Sequence, residues 1–182
     1  YIDKELLEQD PHTVIEGTLL AAYAVGASVG YIYLRAEYPR AQRVVAQALE
    51  EARAAGILGA NVLGSDFAFE LHLVLGHGAY ICGEETSLLR SLEGVPAQVS
   101  PKPPYPAIEG FKGAPTAVHN VESLANYPTI VARGGAAYAA LGYGRTRGTK
   151  LVSLNTAVKR PGLYEVLLGS FFRVALLQSL QQ

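Results

Sequence analysis

Between Pro96 and Pro115 the chain carries Pro96, Pro101, Pro103, Pro104, Pro106 and Pro115, and a stretch so punctuated cannot be regular helix. Each proline lacks the N–H that a helix interior needs. The regular elements must therefore lie on either side, and the periodicity there decides the fold class.

Upstream, charged residues after Tyr1 open a helical segment. Asp10-Pro11 then reads as an N-cap and first helical position, with Val14, Ile15, Leu19 and Ala22 at helical spacing before a stop near Gly26. Val29 to Leu34 mixes β-branched and aromatic residues, as a strand does. Tyr38 to Ala55 is a second helix, apolar at Val44, Val45 and Leu49 and ended by Gly56. Phe67 to Leu75 alternates Phe67, Phe69, Leu71 and Leu73 with Ala68, Glu70, His72 and Val74, the pattern of a half-buried strand. Gly83 to Leu92 reads as a short helix. Beyond the prolines, Asn120 to Arg133 and Ala136 to Leu141 read as helices, and Thr149 to Leu154 and Tyr164 to Leu168 as strands. This alternation predicts an α/β fold without internal repeats.

At 182 residues the chain is long enough for one core, so one domain is the starting expectation. A net charge of −1 leaves no basic surplus for a phosphate backbone, which argues against nucleic acid as a partner. Apolar runs such as Thr18 to Ala27 fall short of the ~20 residues that span a bilayer, so no direct membrane insertion is expected. The opening residues lack the pattern of a signal peptide, and the absence of methionine suggests an interior segment of a longer protein. One cysteine, Cys82, excludes an internal disulfide and a self-contained iron–sulfur site, which takes about four thiolates. The four histidines form no recognisable metal-binding spacing; His72 and His77, five apart, would face opposite ways on one strand.

Three segments carry candidate chemistry. In Gly78 to Leu89 a strand exit turns through glycines into a helix, and Gly83 lets the backbone approach a ligand closely. Glu84 and Glu85 would lie in the helix's first turn. Two readings fit them: ordinary helix-start composition favoured by the dipole, or fixed acceptors for ligand hydroxyls and ring nitrogens. In Lys102-Pro103-Pro104-Tyr105-Pro106 three prolines would hold a polyproline-like conformation, either as a plain rigid spacer or to place Lys102 and Tyr105 at low entropic cost. In Gly113 to Asn126 polar residues precede an amphipathic helix, with Asn120 and Ser123 as alternative caps.

Together, with Asp10-Pro11-His12, Ile15-Glu16-Gly17, Tyr31-Ile32-Tyr33, Ser91-Leu92-Glu93-Gly94 and Val158-Lys159-Arg160-Pro161-Gly162, these segments resemble the flavoprotein subunit of NADH:quinone oxidoreductase, respiratory complex I. The same module occurs in diaphorase subunits of NAD-reducing hydrogenases and formate dehydrogenases. The resemblance runs from Tyr1 to about Leu168. It implies a Rossmann-like mixed sheet flanked by helices and incomplete at its N-terminal side, an FMN/NADH-binding α/β domain over 1–160, and the start of a ubiquitin-like domain at 161–182. It also implies an FMN site with Tyr80, Gly83, Glu84 and Glu85 beside the flavin and nicotinamide, approached by Val118, His119, Asn120 and Ser123. Lys102 and Tyr105 would hold NADH, with the Tyr105 ring on adenine.

The implied function is that of an oxidoreductase in respiratory electron transport: NADH gives a hydride to FMN, and electrons leave through iron–sulfur clusters toward quinone. No residue of the chain need be a catalytic acid or base, because the cofactor carries the hard step. The family's 4Fe-4S ligands are absent from this chain, in keeping with the lone Cys82. Implied partners are NADH and other peripheral-arm subunits of complex I, notably the 2Fe-2S, 24 kDa-type subunit. The implied location is cytoplasmic, peripheral to the inner face of a bacterial membrane, or on the matrix side in mitochondria.

The chain departs from the family pattern in places. The family's Gly-Arg-Gly-Gly-Ala-Gly-Phe-Pro loop belongs upstream of Tyr1, and neither Gly76-His77-Gly78 nor Gly142-Tyr143-Gly144 fits a dinucleotide fingerprint that could replace it. His119 stands where the family usually has asparagine, replacing an amide that both donates and accepts with an imidazole ring. Leu154 to Ala157 replaces a glycine- and proline-bearing turn. These departures keep open a non-catalytic interaction module that has lost the flavin.

Overall fold

The computed structural model describes residues 2–169. It divides into two compact units: the described residues of Tyr1–Leu20 and Val121–Gln182 form one, and Ala21–Asn120 form the other.

In the first unit, helix α1 (Ile2–Gln9) precedes α2 (Pro11–Val25), which ends in the second unit. Asp10 caps α2 as its sequence predicts: its carboxylate accepts the Thr13 hydroxyl at 2.8 Å and the Thr13 N–H at 3.3 Å, satisfying a donor that the helix start leaves free. Leu7, Val14 and Ile15 are buried. After residue 120 come α5 (Val121–Arg133), which accommodates Pro128, and the short α6 (Gly135–Ala139). Strands β3 (Gly142–Tyr143) and β4 (Thr146–Arg147) form a small hairpin around Gly144, and β5 (Thr149–Leu154) pairs antiparallel with β6 (Gly162–Leu167). Glu122, buried in the first turn of α5, accepts the Leu151 backbone N–H at 2.7 Å and the Lys150 ammonium, which ties the helix to β5.

The second unit is built on β1 (Val29–Arg35), α3 (Pro39–Ala54) and β2 (Glu70–Gly76), with the two strands parallel in the register Val29↔Glu70 to Arg35↔Gly76. Pro39 starts α3, and Ala41, Val45, Ala48, Leu49 and Ala52 form its buried stripe. That stripe belongs to the same core as Ile32, Leu34 and Leu71. Arg53, near the end of α3, donates to the Leu71 carbonyl at 2.7 Å and pairs with Glu50. A crossover helix joining two parallel strands is the unit expected of an α/β fold. The α/β class holds, with the described strands arranged as three pairs.

The strand expected from Phe67 begins only at Glu70. Phe69 instead exchanges both backbone hydrogen bonds with Gly59, each at 2.9 Å, and its buried ring is 1% exposed. The segment with six prolines has no α-helix, only a 3₁₀ turn at Phe111–Gly113. Its Lys102–Pro103 and Pro103–Pro104 peptide bonds are cis. Of the expected 161–182 module, only 161–169 fall among the described residues, and these include β6.

Candidate functional site

The chain leaves β2 at Gly76, passes Gly78 with φ +78°, and forms a 3₁₀ turn over Tyr80–Gly83 before helix α4 (Glu85–Leu92). This puts Tyr80 to Glu85 just past the carboxyl end of a parallel strand, where open α/β sheets bind ligands. The glycine at 76 lets Tyr33 pack close, since a Cβ there would lie 2.4 Å from the Tyr33 hydroxyl oxygen. Tyr33 in turn shares a 2.8 Å hydrogen bond with Ser91 of α4. Burial, opposed by that bond, raises the Tyr33 pKa, with the buried Cys82 thiol adding to the rise. Helix α4 is thus fastened to β1 at one side.

Glu84 is not inside the first turn of α4 but is its N-cap. With φ −88° and ψ 135°, it turns its carboxylate back to accept the Ser87 N–H at 3.0 Å and the Thr86 hydroxyl. Glu85 is the first helical residue. The Lys102 ammonium lies 3.3 Å from Glu84 Oε1 and also bonds Glu85 Oε1, so the proline strap brings its cation to both acids. The Thr86 hydroxyl, foremost, then the Ser87 N–H and Lys102, hold the Glu84 carboxyl below the usual glutamate range against its burial. Glu85 and then Glu84 raise the Lys102 ammonium above the usual lysine range.

Each of the remaining candidates is placed by its own segment. Tyr80 is 94% exposed and Tyr105 55% exposed, leaving both rings open to a ligand. A Cβ placed on Gly83 would meet nothing within 4 Å, so space opens beside its backbone. Val118, His119 and Asn120 are exposed at the end of the second unit. Ser123, exposed in the first turn of α5, belongs to the first unit. The structure therefore joins Glu84, Glu85 and Lys102 by direct bonds, sets Tyr80 and Gly83 in the adjoining turn, and leaves Tyr105 in the strap, Val118, His119 and Asn120 in the segment before α5, and Ser123 in α5. Sequence reasoning missed Thr86 and Ser100: the Thr86 hydroxyl, besides bonding Glu84, accepts the Ser100 backbone N–H at 2.9 Å.

An acidic pair with a cation, set among exposed aromatic rings beside an open glycine turn, can accept from ring N–H and hydroxyl groups and stack planar heterocycles. This chemistry matches the family expected from the motif series, and the chain belongs to the Nuo51 FMN-binding domain family, which matches residues 1–129. It is 48% identical over 171 residues to an NADH-quinone oxidoreductase subunit of Rhizobium meliloti (strain 1021), covering 94% of this chain and 41% of that protein. It is 42% identical to the HndC subunit of the NADP-reducing hydrogenase of Solidesulfovibrio fructosivorans, covering 95% of this chain and 35% of that one. The fold is similar to the crystal structure of an NAD+-reducing NiFe-hydrogenase in the H2-reduced state, with a TM-score of 0.82 and 39% identity, covering 91% of this chain and 28% of that one. The chain thus spans about two fifths or less of the length of these proteins.

Proposed function

We propose that this chain supplies one wall of the FMN and NADH site in the flavoprotein subunit of an NADH:quinone oxidoreductase. The observation that carries the reading is the Glu84–Lys102–Glu85 cluster, placed past the carboxyl end of β2 beside the open turn at Gly83. The residues present fit a flavin: the backbone at Gly83 is open on its Cα side, exposed Tyr80 offers an aromatic surface, and Glu84 stays anionic as an acceptor. In this reading Glu85 and Lys102 orient the dinucleotide's polar groups, Tyr105 stacks on its adenine, and Val118, His119, Asn120 and Ser123 line the flavin side. The chain's own work is to bind, orient and exclude water; the hydride acceptance and one-electron release that link NADH to iron–sulfur clusters are chemistry the flavin supplies.

The rest of the reading concerns the whole protein. It would sit in a multi-subunit assembly, beside a 2Fe-2S, 24 kDa-type subunit. Its place would be peripheral to the inner face of the membrane; no helix among the described residues is long and apolar enough to cross one. Similarity to hydrogenase subunits favours a second reading, a diaphorase subunit.

The test is to purify the native assembly and measure bound FMN and its bleaching by NADH. Stoichiometric flavin that NADH bleaches supports the reading; an assembly without flavin refutes it. Quinone-dependent NADH oxidation in that assembly selects complex I, and hydrogen-dependent dinucleotide reduction selects the diaphorase.

A further inference from the structure

Thr86 joins the two halves of the cluster through one hydroxyl. The residue is 8% exposed, and its Oγ1 accepts the Ser100 N–H at 2.9 Å while donating to Glu84 Oε2. Lys102 follows Ser100 by two residues and approaches the other oxygen of the same carboxylate, at 3.3 Å. The strap and the helix cap are therefore held together at two neighbouring points, of which only the Lys102 pair is open to solvent and screening.

We infer that Thr86 is a positioning residue that fixes the strap carrying Lys102 and Tyr105 over the Glu84–Glu85 turn, and thereby sets how tightly the site takes a nicotinamide dinucleotide. This rests on the functional reading above. The hydroxyl suits the task because it can donate and accept at once, here to a carboxylate on one side and from a backbone amide on the other. The turn bearing Tyr80 and Gly83 closes through its own backbone bonds, Cys82 N–H to Ala79 and Glu84 N–H to Ile81, and does not depend on Thr86. Loss of the hydroxyl should therefore loosen the dinucleotide side and spare the flavin side.

The experiment compares Thr86→Val and Thr86→Ser with the parent in the intact native assembly. Thr86→Val keeps the shape but loses both bonds, whereas Thr86→Ser keeps them. In Thr86→Val, amide hydrogen exchange across residues 96–105 is expected to accelerate and the KM for NADH to rise about three- to tenfold, the equivalent of one hydrogen bond, with kcat and flavin content held. Thr86→Ser is expected to restore both values. If Thr86→Val fails to assemble, Ser100→Pro removes the donor from the strap side, and an unchanged KM there overturns the assignment. Parent-like exchange and KM in Thr86→Val overturn it as well, as does a Thr86→Ser protein that behaves like Thr86→Val. A parent assembly without flavin refutes the functional reading instead, and the exchange comparison still tests the fastening because it needs no ligand.

Discussion

Gly17 of α2 lies against the backbone of Leu124 in α5 so closely that an added Cβ would stand 1.9 Å from the Leu124 carbonyl oxygen. Gly17→Ala must push the two helices apart, because neither backbone can yield as a flexible side chain can. The expected loss is about 1–3 kcal/mol, typical of overpacking, read as a lower denaturant midpoint. An unchanged midpoint would show that the helices can separate freely.

Glu122 holds the other end of that unit together. Glu122→Ala leaves the Leu151 N–H without its buried acceptor, which should cost about 1–3 kcal/mol. Glu122→Gln keeps an acceptor oxygen but gives up the charge facing Lys150, so its loss should be smaller. Chemical denaturation of the three proteins side by side gives the order, and equal losses would assign the whole effect to charge.

The cap at Glu84 predicts a pH dependence. Because its carboxyl is held below the ordinary glutamate range in the folded chain, its contribution is complete above that range and disappears as pH falls through the lower folded value. Stability measured from neutral pH downward should therefore fall less steeply in Glu84→Gln than in the parent. Parallel curves would mean that the cap acts without its charge.

Two substitutions separate the roles assigned to the site. Glu85→Ala in the native assembly should reduce NADH oxidation while circular dichroism and flavin content stay as in the parent. Tyr105→Ala should weaken NADH binding more than flavin binding, since the ring belongs to the strap and not to the turn at Gly83. Loss of both ligands to the same degree would make Tyr105 a prop for the strap.

Local signals carried much of the fold. Asp10-Pro11 marked the start of α2 and the run from Thr149 to Leu154 coincided with β5, because caps and β-rich runs act within a few residues. Phe67 and Phe69 had the alternation of a strand, but Gly59 takes up the backbone of Phe69, and sequence spacing alone does not register that partner. The acids at 84 and 85 were legible as a helix start. Their division into a cap and a first helical residue depended on the Thr86 and Ser87 donors. The link from Thr86 to Ser100 was not legible at all, since its acceptor hydroxyl finds a main-chain donor 14 residues away that leaves no mark in residue type.

The Arg53 guanidinium on the Leu71 carbonyl has a further consequence. Glu70 donates to Ser28 and Gly76 accepts from Ala36, so the even-numbered residues of β2 bond to β1 and Leu71 faces outward. At that rung the outward carbonyl already holds a charged donor, at 2.7 Å. Among the described residues β2 pairs only with β1, and a strand approaching its other side would have to dislodge that donor in order to pair at this rung.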